Sequence, residues 1–255
     1  MAGTKIENYI ELYNLAIPIS KIKAPVQDKS SSTYETYTVL KLSKAEVRVF
    51  DRDKHMQLLL DQDKYFSIQN FLKDEVDISH RFFYMIPVQT PKGTIVGFIL
   101  RTVFGKSYMT ISNSFEDRVK SVPFMFGWYK DFARYNKEDK RLPIVVCEGS
   151  KDCIALKKIY PYTLSTNTDS LGTNIEVLKQ ITNDILLVYD NDESGLKGMK
   201  KDQKKLLNQW VNCDTFYAPD GYKDVASLLV NDREAFTKFG KSLLKRIKKL
   251  HLHQV

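Results

Sequence analysis

Two apolar, β-branched runs that each end in carboxylates and glycine constrain this chain most: Leu142-Pro143-Ile144-Val145-Val146-Cys147-Glu148-Gly149-Ser150-Lys151-Asp152 and Ile185-Leu186-Leu187-Val188-Tyr189-Asp190-Asn191-Asp192-Glu193-Ser194-Gly195. Such a run reads as a strand buried on both faces, which belongs to a parallel sheet covered by helices. In open α/β sheets ligands bind in the crevice at the carboxyl ends of the strands, so Glu148, Asp190 and Asp192 are expected to meet at one edge. Carboxylates gathered there repel one another unless a divalent cation neutralises them, and hard oxygen donors suit magnesium or manganese. The expectation is a metal site for phosphate chemistry. Each acid also has a plainer reading: an Asp or Glu just after a strand caps the following helix, and Asp152 falls where a helix dipole favours a first-turn negative charge. Glu193 reads as a solvated or first-turn charge.

The pattern apolar-E-G-x-x-D followed by apolar-D-x-D-x-x-G resembles the TOPRIM domain shared by DnaG-type primases, topoisomerases and some nucleases. A third acid, Asp224 in Pro219-Asp220-Gly221-Tyr222-Lys223-Asp224-Val225-Ala226-Ser227-Leu228-Leu229, resembles the closing K-D-x-x-x-L-L segment of that family. Members often carry a further acid two residues later, where this chain has Ala226. Around these motifs strands and helices are expected to alternate: a strand Ile144 to Cys147, a helix through Ile159, a strand Thr163 to Thr166, a helix Asn174 to Ile181, a strand Ile185 to Tyr189, a helix Leu196 to Trp210 and a strand Thr215 to Ala218. Alternation of this kind gives a parallel sheet with helices on both faces.

Upstream, Phe82 to Val88 and Thr94 to Arg101 read as two strands joined at Pro91-Lys92-Gly93, a hairpin. Lys106-Ser107-Tyr108-Met109, Asn113-Ser114 and Phe124-Met125-Phe126-Gly127-Trp128-Tyr129 follow. This succession is similar to the region just before TOPRIM in DnaG-type primases, and the resemblance covers roughly residues 80 to 230. Nearer the N-terminus, Ile6, Tyr9, Ile10, Tyr13 and Ile17 recur at helical spacing over residues 4 to 20 until Pro18 ends the helix. Ser20 to Thr33 reads as a loop, Tyr37 to Phe50 as strands and Asp53 to Leu60 as a short helix. Arg134 to Arg141 is a charged connector. The fold class expected is α/β, with a TOPRIM parallel sheet flanked by helices and preceded by a smaller, basic, mixed α+β subdomain. The divisions are 1–140, 141–231 and a basic C-terminal helix over 232–255, with Phe236, Phe239, Leu243, Leu244 and Ile247 on its apolar face.

At 255 residues the chain buries a real core, and its net charge of +8 beside an acidic site points to a partner carrying phosphates. Cys147, Cys153 and Cys213 form no C-x-x-C pair and have no histidine at ligand spacing, so no zinc site is expected; they read as small buried hydrophobes. No run approaches a membrane span and no signal peptide opens the chain, so a reducing cytoplasm, that of the host if the chain is viral, is the expected compartment.

The primase resemblance implies a DNA-templated RNA polymerase that makes short RNA primers on single-stranded DNA from ribonucleoside triphosphates. In that reading Asp190, Asp192 and Asp224 hold magnesium or manganese, Glu148 is either a further ligand or the general base, and Asp152 joins the catalytic group. Arg101 would be a phosphate fork, Lys106 a point charge on phosphate, Tyr108 a platform for a base or sugar and Asn113 a polar contact to nucleotide; each otherwise reads as a surface or turn residue. With no zinc module and no G-x-x-x-x-G-K-[ST] loop of a helicase, the chain is similar to small bacteriophage-encoded primases and would work with a replicative helicase or a separate zinc-binding initiation factor. A TOPRIM nuclease using the same acids and a non-catalytic nucleic-acid-binding module are the rivals. A topoisomerase is disfavoured, because nothing resembles its tyrosine-bearing cleavage domain.

Overall fold

The computed structural model describes residues 6–18, 48–51, 82–89, 95–102, 108–112, 125–127, 142–167, 170–172 and 174–252. The chain divides into two compact units, one of residues 1–88 and 95–122, the other of residues 89–94 and 123–255. The expected loop 20–33, the helix Asp53 to Leu60, the turn Pro91 to Gly93 and the connector Arg134 to Arg141 lie outside the described residues, as does Tyr37 to Val47.

The first unit contains helix α1 (Ile6–Leu15) and a five-stranded sheet in the order β1 (Ile17–Pro18), β2 (Arg48–Asp51), β3 (Phe82–Gln89), β4 (Ile95–Thr102), β5 (Tyr108–Ser112). The helix ends earlier than its periodicity predicts. Pro18 pushes Ile17 to extended geometry, and the two residues form an edge strand opposite Val49 and Arg48, a place where a missing N–H is tolerated. Tyr9, Leu12 and Tyr13 of α1 pack on Phe50, Phe83, Phe98 and Leu100 of the sheet. Arg48 Nη1 donates to the carbonyls of Tyr13 and Asn14 at 3.1 and 2.9 Å, closing carbonyls that the helix end leaves open, and its guanidinium lies 4.5 Å from the centre of the Tyr13 ring.

The second unit is the α/β part. Its four-stranded sheet has the order β7 (Thr163–Ser165), β6 (Ile144–Cys147), β8 (Asp184–Leu187), β9 (Asn212–Thr215), all parallel. Helices α2 (Ser150–Lys157), α3 (Asn174–Ile181) and α4 (Glu193–Asn208) make the crossovers, and α5 (Val225–Asn231) and α6 (Arg233–Leu252) close the chain. Ile144, Val146, Ile185 and Leu187 pack against Ile175, Leu178 and Ile181 of α3 and Met199 and Leu206 of α4. Because strand side chains alternate, Val145, Cys147 and Leu186 turn to the opposite face, where α2 and α5 pack together and α6 lies on β8 and β9. All three cysteines are buried free thiols.

Several boundaries differ from expectation. β9 starts at Asn212 instead of Thr215, because α4 ends in a Schellman turn: Val211 N–H donates to Leu206 C=O and Trp210 N–H to Leu207 C=O. The strand then falls into register at once, with Asp184 opposite Asn212 and Leu187 opposite Thr215. The closing segment continues into α5, started by an Asp224–Ser227 capping box. In α6 the buried stripe is Phe236, Phe239, Leu243, Ile247 and Leu250, while Leu244, placed on that face from sequence, is exposed.

At the free edge of β7, Phe126 and Ser165 exchange backbone hydrogen bonds of 3.0 and 2.9 Å, so the aromatic-glycine segment lengthens the sheet. Gly127 has φ +101°, and a Cβ there would stand 2.8 Å from Thr163 O and 2.9 Å from Cys153 Sγ.

Candidate active site

The chain leaves β6 toward β7 on one side and returns to β8 on the other, so a topological switch point lies between the carboxyl ends of β6 and β8. Glu148 is the first residue after β6, and Asp190 follows β8 by three residues. Val188 N–H donates to Val146 C=O at 2.8 Å, keeping the two chains together past the strand, and Asp190 N–H points to Glu148 Oε1 at 3.4 Å. Gly195 at the start of α4 comes so close that a Cβ would meet Asp190 O at 2.2 Å and Glu148 Oε1 at 2.9 Å, which is why only glycine fits the D-x-D-x-x-G turn.

Asp192 and Asp224 are helix N-caps as well as members of this edge. Asp192 Oδ1 accepts from Gly195 N–H at 2.9 Å at the head of α4, and Asp224 Oδ1 accepts from Ser227 N–H at the head of α5. The capping and functional readings of these acids are therefore compatible: the cap fixes one oxygen of each carboxylate and with it the direction of the other. Asp152, in the first turn of α2, is buried, and its Oδ1 accepts from Ala226 N–H at 2.9 Å. Ala226, at the position where a further acid was absent, is itself fully buried, and its backbone ties α5 to α2.

The third motif is fastened to the second through the middle residue of D-x-D. Asn191 N–H donates to Lys223 C=O at 2.6 Å and Asn191 Nδ2 to Ala218 C=O at 3.3 Å. Lys223 then reaches back with Nζ 3.0 Å from Asp192 Oδ2 and 3.5 Å from Asp190 Oδ2. Burial, followed by the charges of Asp224 and Asp190, pushes the Asp152 carboxyl up to about 8. Burial and Asp224 raise Asp190 as well, against the pull of Lys223. Asp192 moves the other way, lowered by the Gly195 N–H and by Lys223. Burial is the main cause of both upward shifts and the neighbouring carboxylates add to it, whereas Asp192, held by an N–H and an ammonium, is the stabilised anion of the group.

The donors are all hard oxygens, the chemistry that suits magnesium or manganese. Among the described residues no three of the His, Cys, Asp and Glu side chains stand together as a ready-made metal group. The edge thus gathers the predicted acids without closing them around one point, and an ammonium lies between two of them.

Sequence reading missed Asn191, Lys223 and a buried clamp beneath the edge. Asp202 of α4 is 0 % exposed and accepts from Leu171 N–H at 2.7 Å and Tyr189 O–H at 2.9 Å, so it anchors the residue before Asp190. Its signal was available: Asp202 interrupts the stripe Gly195, Met199, Leu206 that α4 buries.

Of the residues assigned to nucleotide and template, Arg101 and Tyr108 are register partners on β4 and β5. Among the described residues, Arg101 Nε is buried without a hydrogen-bond partner. Lys106 and Asn113 lie outside the described residues.

Residues 145–229 match the family model described as Toprim-like. The DNA primase of Aquifex aeolicus (strain VF5) is 29 % identical over 170 residues, covering 64 % of this chain and 31 % of that protein. The chain thus spans about a third of the length of that relative. Among solved structures, the DnaG catalytic core superposes with a TM-score of 0.59 at 16 % identity, over 92 % of this chain and 79 % of that one. A DnaG primase catalytic domain bound to single-stranded DNA gives 0.58 at 16 % identity, over 93 % and 83 %. The fold of this chain is similar to that of the DnaG catalytic core.

Proposed function

We propose that this chain is the polymerising part of a DNA primase, which extends short RNA primers on single-stranded DNA by attack of a primer 3′-hydroxyl on a nucleotide α-phosphate, with pyrophosphate leaving. The observation that carries the reading is the meeting of Glu148 and Asp190 at the switch point, with Asp224 close enough to raise the carboxyls of Asp152 and Asp190, in a fold like the DnaG catalytic core. Glu148, Asp190, Asp192 and Asp224 would hold the magnesium or manganese. When bound, such ions neutralise charge on the leaving oxygens and acidify the attacking hydroxyl. The chain's own part is preorganisation: the caps on α4 and α5 aim Asp192 and Asp224, the Gly195 contact sets Asp190 beside Glu148, and Asp152 ties the head of α5 to α2 through the Ala226 N–H. Glu148, at the mouth of β6, is a ligand or the base for the hydroxyl proton.

Arg101 and Tyr108, paired across β4 and β5, together with Lys106 and Asn113, are the proposed contacts to nucleotide and template. A replicative helicase or a separate zinc-binding initiation factor is the proposed partner, and a bacteriophage is the proposed source. No helix among the described residues is long and apolar enough to cross a membrane.

The test is primer synthesis on single-stranded DNA with labelled ribonucleotides and manganese. Synthesis should stop in EDTA and fall by about 10²-fold or more in Asp190→Ala. Shortened strands would instead make the chain a nuclease, and equal product from Asp190→Ala would remove the site.

A further inference from the structure

Lys223 was only a letter in a motif, yet its ammonium lies between Asp190 and Asp192, at 3.5 and 3.0 Å, where the acids of the edge most need a positive charge. Two features fit it for a temporary post. Its backbone is fixed, because Asn191, the residue between those two acids, donates its N–H to Lys223 C=O at 2.6 Å. Its side chain is 61 % exposed, so the stem can swing into water without opening the core. Exposed ion pairs of this kind are weak, and an ammonium has no preference for the coordination geometry that a divalent cation meets with the same oxygens.

The geometry points to Lys223 as a resident cation that occupies the Asp190–Asp192 pair in the metal-free chain and is displaced when a divalent cation binds. The inference rests on the metal reading above. Lys223 therefore lowers the affinity of the edge for metal, and in exchange keeps two neighbouring carboxylates from facing each other unscreened. The displaced ammonium remains tethered beside the site.

Direct Mn²⁺ binding to the full chain, followed by titration calorimetry or by the electron paramagnetic resonance signal of free Mn²⁺, tests this without any turnover. Lys223→Met keeps the stem and removes the charge; it should bind Mn²⁺ about three- to tenfold more tightly, the size expected for losing two exposed ion pairs. Lys223→Arg, still cationic, should stay near wild type. Lys223→Gln serves in place of Lys223→Met if the latter does not give a wild-type circular dichroism spectrum. Equal or weaker binding by the neutral variants, with Mn²⁺ bound by wild type, overturns the role of Lys223 and leaves the metal site standing. No Mn²⁺ binding by any of the proteins overturns both.

Discussion

At the amino edge of the parallel sheet the buried carboxylate of Asp184 accepts from Asn212 Nδ2 at 2.9 Å and faces His251 Nδ1 at 3.5 Å, while Arg246 of α6 pairs with Asp214 in the adjoining strand. At the carboxyl edge Glu148, Asp152, Asp190, Asp192 and Asp224 crowd one another, and the ammonium set between Asp190 and Asp192 belongs to an exposed lysine. The same sheet thus handles buried charge in two ways. On one edge each acid has a partner supplied by a neighbouring strand or by α6, which is how a fold uses polar groups for registry. On the other edge the protein leaves repulsion in place, as the metal site proposed above would require.

The largest consequence is expected at Asp152. With its carboxyl pushed from 3.8 up to about 8, the folded chain holds a proton that the unfolded chain gives up, so this group makes stability fall as pH rises from about 4 to about 8. Asp152→Asn keeps an oxygen for the Ala226 N–H and has no charge to suppress. In EDTA its advantage in urea-unfolding free energy should be near nil around pH 4 and grow to several kcal/mol by about pH 8. An advantage that does not change with pH would mean that the two edges do not differ in the way described.

How far this contrast could be read from sequence depends on which interactions make it. The strands β6 and β8, the helices α2, α3 and α4, and the meeting of Glu148 with Asp190 follow from short local signals: apolar runs, a glycine that permits close approach, and the rule that ligands sit at carboxyl ends. The pairing of β7 with Phe126, the clamp of Asp202 on Leu171 and Tyr189, and the link from Asn191 to Lys223 join residues from 13 to 39 positions apart or across motifs, and no spacing encodes them. The edge strand at Ile17 and Pro18 was hidden for a related reason: its partner is Arg48 and Val49, and helical periodicity upstream looked continuous with it. Asp192 and Asp224 were legible both as caps and as candidate site residues, and the capping is what the structure shows.

The amino edge offers the opposite sign. Asp184→Ala would leave Asn212 Nδ2 with the Leu250 carbonyl at 3.1 Å alone, and His251 facing no carboxylate. A buried acceptor lost under these donors costs about 2 kcal/mol. Unfolding by urea at pH 7 should show that loss, and α6, whose Leu250 and His251 close over this edge, should exchange its last amides faster. Unchanged stability would mean that the amino edge is no better matched than the carboxyl edge.

The smallest effect sharpens the comparison at a strained point of the amino edge. Trp210, at the turn between α4 and β9, has φ +62° and is 95 % exposed. It occupies the left-handed position of the Schellman turn that Val211 and Trp210 N–H groups make with Leu206 and Leu207, a position glycine fills without a Cβ clash. A side chain there costs roughly 1 kcal/mol, and almost none of it is returned by packing because the indole lies in solvent. Trp210→Gly should therefore raise unfolding free energy by about 0.5–1 kcal/mol, part of the gain being lost to the greater freedom of glycine in the unfolded chain. Primer synthesis should not change, since the turn sits at the edge opposite to the acids. A stability loss would show that Trp210 is held by contacts the turn geometry does not reveal; a loss of synthesis at unchanged stability would place function at the amino edge, whose paired acids otherwise serve the fold alone.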